Sequence, residues 1–248
     1  MQQPIVTPPP LPRYPGIGSA LGMIVLYFLL QLTVGGLLVF VLHRLAGLRG
    51  PDARALLVIL TIPAVGGITL WSIRRLWPLP WTQAAPPGFG LNRLAPPAFY
   101  ALAVLLGLTL SLLGGWITQW LAHGHEVPQD IKQLGNTVSP AVRIPLALLA
   151  ATVAPLIEEL LFRGLLLSAL LQRFGAGWAV AISSLLFATV HLPDLGFLWY
   201  AVPNLTLLAV ALAWLRLRSG SLWPAVLAHG VNNLLAVAAW FVVAAPGK

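Results

Sequence analysis

Apolar residues fall in long, nearly unbroken blocks along this chain, and polar residues gather in the short stretches between them. A membrane-crossing helix needs roughly 20 mostly apolar residues. Seven blocks meet that length: 17–42, 55–76, 95–121, 142–171, 176–192, 196–216 and 221–245. They predict an all-α, polytopic transmembrane bundle of about seven helices, within a range of six to eight. Three blocks carry marks of irregularity. Pro145 and Pro155 each remove a backbone donor inside 142–171 and favour a kink there. Pro203 and Asn204 interrupt 196–216, and 221–245 could be two shorter helices. The first 16 residues, MQQPIVTPPPLPRYPG, read as an extended proline-rich tail. No charged n-region precedes the first apolar block, which is too long for the core of a secretory signal. The rest, 17–245, reads as one membrane domain.

Composition agrees with that class. Hydrophobic residues make up 58% of the 248 positions and charged residues 8%, against roughly 25% charged in soluble domains. The net charge of +8 would suggest nucleic acid in a soluble protein. Here most arginines lie between apolar blocks, where anionic headgroups are the natural partner, so a lipid bilayer is expected and nucleic acid is not. Tryptophans cluster near block ends, as interfacial belts do. Counting Lys and Arg on the two sides of a seven-span topology gives seven against six, a lean toward a cytoplasmic N-terminus. The expected location is the plasma (inner) membrane of a bacterium. With no cysteine, disulfides, thiolate metal sites and thiol nucleophiles are excluded. Oligomeric state is not legible.

Only six acidic residues exist, and two of them, Glu158 and Glu159, stand side by side inside ATVAPLIEELLFRGLLLSALL. One charge at the bilayer centre costs on the order of 2.5–3.5 kcal/mol on insertion scales. Adjacent residues on an α-helix point about 100° apart. Glu159 and Arg163 share a face at i, i+4 in the favourable order for an ion pair, which by itself is a structural reading. Glu158 then points elsewhere, free to act as an acid or base. Two later blocks each hold a histidine: Phe187 and His191 at i, i+4 in FATVH, and His229 and Asn233 at i, i+4 in HGVNN. Gly230, beside His229, leaves room for a close approach. Taken singly, each histidine suits an interfacial or hydrogen-bonded role, and Asn233 suits helix–helix glue. Together they would form a polar, water-holding cavity in the bundle. A carboxylate and an imidazole activate water there, while a second imidazole and an amide donate to an oxyanion.

The strings EELLFR, FATVH and HGVNN match E-E-x-x-x-R, F-x-x-x-H and H-x-x-x-N, in that order, on successive blocks. They resemble the CPBP (CAAX-prenyl-protease and bacteriocin-processing, or Abi) family of intramembrane proteases, over a core at 142–245. The resemblance implies that Glu158 and His191 activate the attacking water. It assigns the oxyanion hole to His229 and Asn233, support of the site to Glu159 and Arg163, and packing beside His191 to Phe187. It also implies the substrate: a prenylated CAAX-type C-terminus, a leader peptide or a membrane-protein segment. The family is often labelled metalloprotease, and Glu158, His191 and His229 would be the ligands if Zn²⁺ were present. No H-E-x-x-H occurs. If Glu158 were a ligand, Glu159 would have to serve as base, against its pairing with Arg163, so the preferred reading needs no cofactor. Two rivals stay open: a non-catalytic scaffold or bacteriocin-immunity protein of the same family, and a small proton-coupled carrier.

Overall fold

The computed structural model describes residues 14–125, 127 and 130–243. Residues 1–13 of the expected tail and the last residues of the expected final span lie outside them. Among the described residues every regular element is a helix: α1 Ile17–Phe40, α2 Pro51–Leu76, α3 Pro78–Thr82, α4 Pro97–Ala122, α5 Asp130–Thr137, α6 Pro140–Ala151, α7 Val153–Glu159, α8 Leu167–Leu171, α9 Ala176–Thr189, α10 Val202–Ser219 and α11 Trp223–Val243. A π-helical turn, Val41–Leu45, extends α1, and a second, Leu160–Leu166, joins α7 to α8.

Among the described residues, six helical segments are long and apolar enough to cross a membrane: Ile17–Leu45, Pro51–Leu76, Pro97–Ala122, Pro140–Leu171, Trp199–Ser219 and Trp223–Phe241. The seventh expected span is α9. It has 14 residues, about 21 Å at 1.5 Å per residue, against a hydrocarbon layer of roughly 30 Å. Beyond it the chain turns through two short 3₁₀ segments, Pro193–Leu195 and Trp199–Ala201, before α10 begins beside Pro203. The expected interruption near Pro203 therefore falls before the helix. The final span is one helix, not two.

The long fourth span is broken, and the break has a clear cause. α6 runs through Pro145, but the helix stops at Thr152, whose backbone leaves the helical region (φ −128°, ψ −67°). Pro155 has no N–H, and its ring clashes with the carbonyl four residues back, that of Ala151. The break frees the carbonyls of Ala150 and Ala151 from the helix ladder. Both face α11.

Close helix contacts rest on glycines. α4 packs along α11, with further contacts to α10. A Cβ at Gly107 would overlap the Ala228 carbonyl and Val231, and one at Gly114 would overlap the Asn204 amide. Small residues let helix backbones approach in lipid, where dispersion replaces the hydrophobic effect as the association force. Arg216 departs from the headgroup role expected of most arginines. It is fully buried near the end of α10, where its guanidinium donates to the carbonyls of Ala84 (3.0 Å) and Gly88 (2.6 Å) and clamps the loop after α3.

Gly107→Ala should lower thermal stability in detergent, by about 1–3 kcal/mol for an overpacked contact that cannot relax. Gly115→Ala on the same helix meets nothing within 4 Å and should be neutral or slightly stabilising. Melting curves of the two variants measured together check this.

Candidate active site

Local geometry at the end of α7 separates the two glutamates. Glu159 is completely buried, whereas the Glu158 side chain is 23% exposed toward a cavity. Glu159 Oε1 accepts a hydrogen bond from Arg163 Nη1 at 2.8 Å and from His229 Nδ1 at 2.9 Å. The expected i, i+4 pair is present, formed across the start of the π-helical turn. Such turns insert one extra residue per turn and are frequent at functional sites. Arg163 Nη2 also donates to the Ala209 carbonyl at 3.1 Å, which ties α10 to the same cluster.

Phe187, on α9, stands at the centre of the aromatic packing. The Arg163 guanidinium lies 4.4 Å over its ring. The His191 ring packs 4.7 Å away and the His229 ring 5.7 Å away, edge-on. Its place is thus broader than the expected contact with His191 alone. The Phe187 carbonyl accepts from His191 Nδ1 at 2.7 Å.

These hydrogen bonds determine what the two imidazoles offer to the cavity. A carbonyl or carboxylate oxygen only accepts, so both Nδ1 atoms carry hydrogen. Each Nε2 faces Glu158 Oε2, from His191 at 3.6 Å and from His229 at 3.8 Å. A ring whose Nδ1 is already protonated presents Nε2 as an acceptor. It donates from Nε2 only when it carries both protons. Two carboxylates and one guanidinium leave one negative charge uncompensated, which a single proton held among Glu158, His191 and His229 would balance.

Asn233 lies on the same side of α11 as His229. Its Nδ2 donates to the Ala150 carbonyl at 3.0 Å, one of the two carbonyls released by the break before Pro155. Ala151 supplies the close approach expected at Gly230, since any Cβ there would meet its carbonyl oxygen. The helix break thus seats α11 and orients Asn233. Asn232 donates from its amide to Asn233 Oδ1 at 3.3 Å.

Glu158, His191, His229 and Asn233 all line one cavity of about 710 Å³ within the bundle. Its far wall is polar in a way the motifs do not announce. Gln119 and His125 contribute from the end of α4 and just beyond, Gln133 and Asn136 from α5, and Asn204 from α10. The only advance signal for these is an amide or imidazole standing in an apolar block or a short polar loop. His123, His125 and Glu126 stand close enough in the polar loop to suggest a metal from sequence, but His125 is engaged otherwise. Its Nδ1 donates to the Ala122 carbonyl, and its ring stacks on Tyr200. Glu126 lies outside the described residues.

The donors at the centre of the site have the chemistry of a zinc site: one carboxylate oxygen and two imidazole Nε2 atoms, each ring held at Nδ1 by a second group. Their present spacing does not close on an ion. No group of three His, Asp or Glu among the described residues is placed to hold a metal.

A family model described as Rce1-like, type II CAAX prenyl endopeptidase Rce1-like, matches residues 140–235. Over that segment, less than half of the chain, the sequence is similar to the family. The match covers every motif position from Glu158 to Asn233 and bears out the family resemblance drawn from the three motifs. No curated protein and no solved structure matches the chain. The Rce1-like segment holds α6 to most of α11, while α1, α2 and α4 lie before it.

Arg163→Ala would leave Glu159 buried with His229 as its remaining partner. Breaking a buried pair costs about 3–5 kcal/mol, and detergent melts should show a loss of that order. Arg163→Lys should recover only part of it, because an ammonium cannot reach Glu159 and Ala209 together while lying flat on Phe187.

Proposed function

We propose that this chain is an intramembrane endopeptidase that hydrolyses a peptide bond of a membrane-associated substrate with a water activated by Glu158 and His191. The observation that carries the reading is the placement of Glu158 Oε2 between two imidazole Nε2 atoms, 3.6 and 3.8 Å away, on the wall of a cavity among membrane-spanning helices. A carboxylate retained at that depth, unlike Glu159 beside it, whose Oε1 is tied to Arg163 and His229, is accounted for by use rather than by structure.

The chemistry follows from the protonation pattern. Glu158, assisted by His191, takes a proton from water, and the water oxygen bonds to the carbonyl carbon of the substrate. The carbonyl oxygen becomes an oxyanion. Asn233 donates to it from the amide that Ala150 orients, and His229 donates from Nε2 when its ring carries both protons. Collapse of the intermediate breaks the C–N bond. The proton gathered by Glu158 passes to the departing nitrogen, and an acid and an amine leave. Glu159 and Arg163 hold His229 in place and do not touch the substrate. The family resemblance supplies the substrate class: a prenylated CAAX-type C-terminus, a leader peptide or a membrane-protein segment.

A zinc-dependent variant of this reading would use Glu158, His191 and His229 as ligands. The ion would supply a more acidic bound water and a polarised carbonyl. The base would then have to be Glu159, which is buried and already accepts from Arg163 and His229. That commitment favours the metal-free reading. A non-catalytic scaffold of the same family is the alternative outcome of the test.

In liposomes, against a panel of prenylated and leader-type peptides, Glu158→Gln and His191→Ala should each lower kcat by about 10²–10⁴-fold, the usual contribution of a positioned acid or base. Asn233→Ala should cost about 10²–10³-fold, as loss of an oxyanion donor does. A strong chelator should leave wild-type activity intact. Loss of activity on chelation, restored by Zn²⁺, would establish the metal variant. Cleavage that survives Glu158→Gln would end the protease reading at this site.

A further inference from the structure

Glu158 also faces a second, smaller space. A pocket of about 130 Å³ lies on the α1 side of the site, walled by Tyr27 and Gln31 of α1 and by Ala154, Glu158, His191 and Asp194. Ala154, Glu158, His191 and Asp194 line the large cavity as well. Glu158 therefore borders two spaces of very different size. The large one is where the protease reading puts the peptide. The small one has room for several waters, at about 30 Å³ each.

The α1 wall is chemically unusual for its helix. Tyr27 and Gln31 are one helical turn apart, in a segment whose other residues are almost all apolar. Tyr27 is 4% exposed, and its hydroxyl makes no hydrogen bond to another described residue. A tyrosine this deep normally finds a partner for its hydroxyl, and the half-buried Gln31 amide borders the same pocket. Both lie outside the Rce1-like segment. We propose that this pocket is a water chamber serving Glu158 from the side opposite the substrate, with Tyr27 and Gln31 as water-positioning residues. The proposal rests on the protease reading for its catalytic half only. A separate chamber resolves a conflict of space, because a peptide filling the large cavity displaces the water that must attack it.

Two measurements test it on the full chain in detergent. Hydroxyl-radical labelling reports local water whether or not the protein cleaves anything. Tyr27 should be oxidised well above Phe89, which is fully buried and lines neither space. Labelling of Tyr27 as weak as that of Phe89 would show a dry pocket and overturn the proposal. In the cleavage assay, Gln31→Met and Tyr27→Phe should each lower kcat about tenfold, one hydrogen bond to the attacking water, with KM within about twofold. The loss should be equal for peptides that differ beside the scissile bond, and Gln31→Asn should restore part of it. A change confined to KM, or one that depends on the neighbouring residue, would make the pocket a side-chain subsite and overturn the proposal, as would unchanged kinetics. A wild type that cleaves no peptide would count against the protease reading, and labelling alone would then decide the chamber.

Discussion

One oxygen atom organises the interior of this bundle. Glu159 Oε1 accepts from Arg163, one turn along its own segment, and from His229 on α11. Arg163 carries the link to α10 through the Ala209 carbonyl and to α9 through the face of Phe187. Four helical segments thus converge on a single buried carboxylate. Burying a carboxylate and a guanidinium carries a desolvation cost of several kcal/mol per ion, offset only by good geometry and added hydrogen bonds. Here the added bonds set the position and tautomer of His229. The same charge network that holds the helices together therefore determines which atom of the imidazole faces the cavity.

The broken fourth span is the second constraint, and it works through backbone rather than charge. A proline at position 155 removes a helix bond and forces the chain out of helical geometry at Thr152. In lipid, a freed carbonyl must find a partner within the protein. Ala150 finds the Asn233 amide, and Ala151 is met by a glycine. What would be a defect in a uniform helix becomes the seat of α11. Gly230 and Asn233 are explained by the far side of that contact as much as by the site.

Much of this could be read from spacing alone. Buried acids are so costly in lipid that Glu158 and Glu159 stand out in any apolar block, and i, i+4 intervals put Arg163 beside Glu159. The same arithmetic put Phe187 with His191 and His229 with Asn233. What spacing could not provide was which helices meet. Tyr27, Gln31, Gln133 and Asn136 border the spaces around Glu158 from segments far away in sequence, and nothing local marks them beyond polarity in an apolar setting. Arg216 misled for the opposite reason. A cation at the end of an apolar block has the composition of a headgroup contact, and only the return of the loop at Ala84–Gly88 shows that its partners are internal.

The short α9 has a consequence for the membrane itself. Its outer face is apolar and open, with Trp178 at 73% and Leu185 at 52% exposure, so lipid packs along it. At about 21 Å it is shorter than the layer it meets. Hydrophobic mismatch of that kind draws the two leaflets together locally, at a cost of a fraction of a kcal/mol per Å. His191, two residues past the end of this helix, would then lie where the bilayer is drawn thin. A segment approaching the site along α9 would pass through less hydrocarbon there than elsewhere around the protein's perimeter.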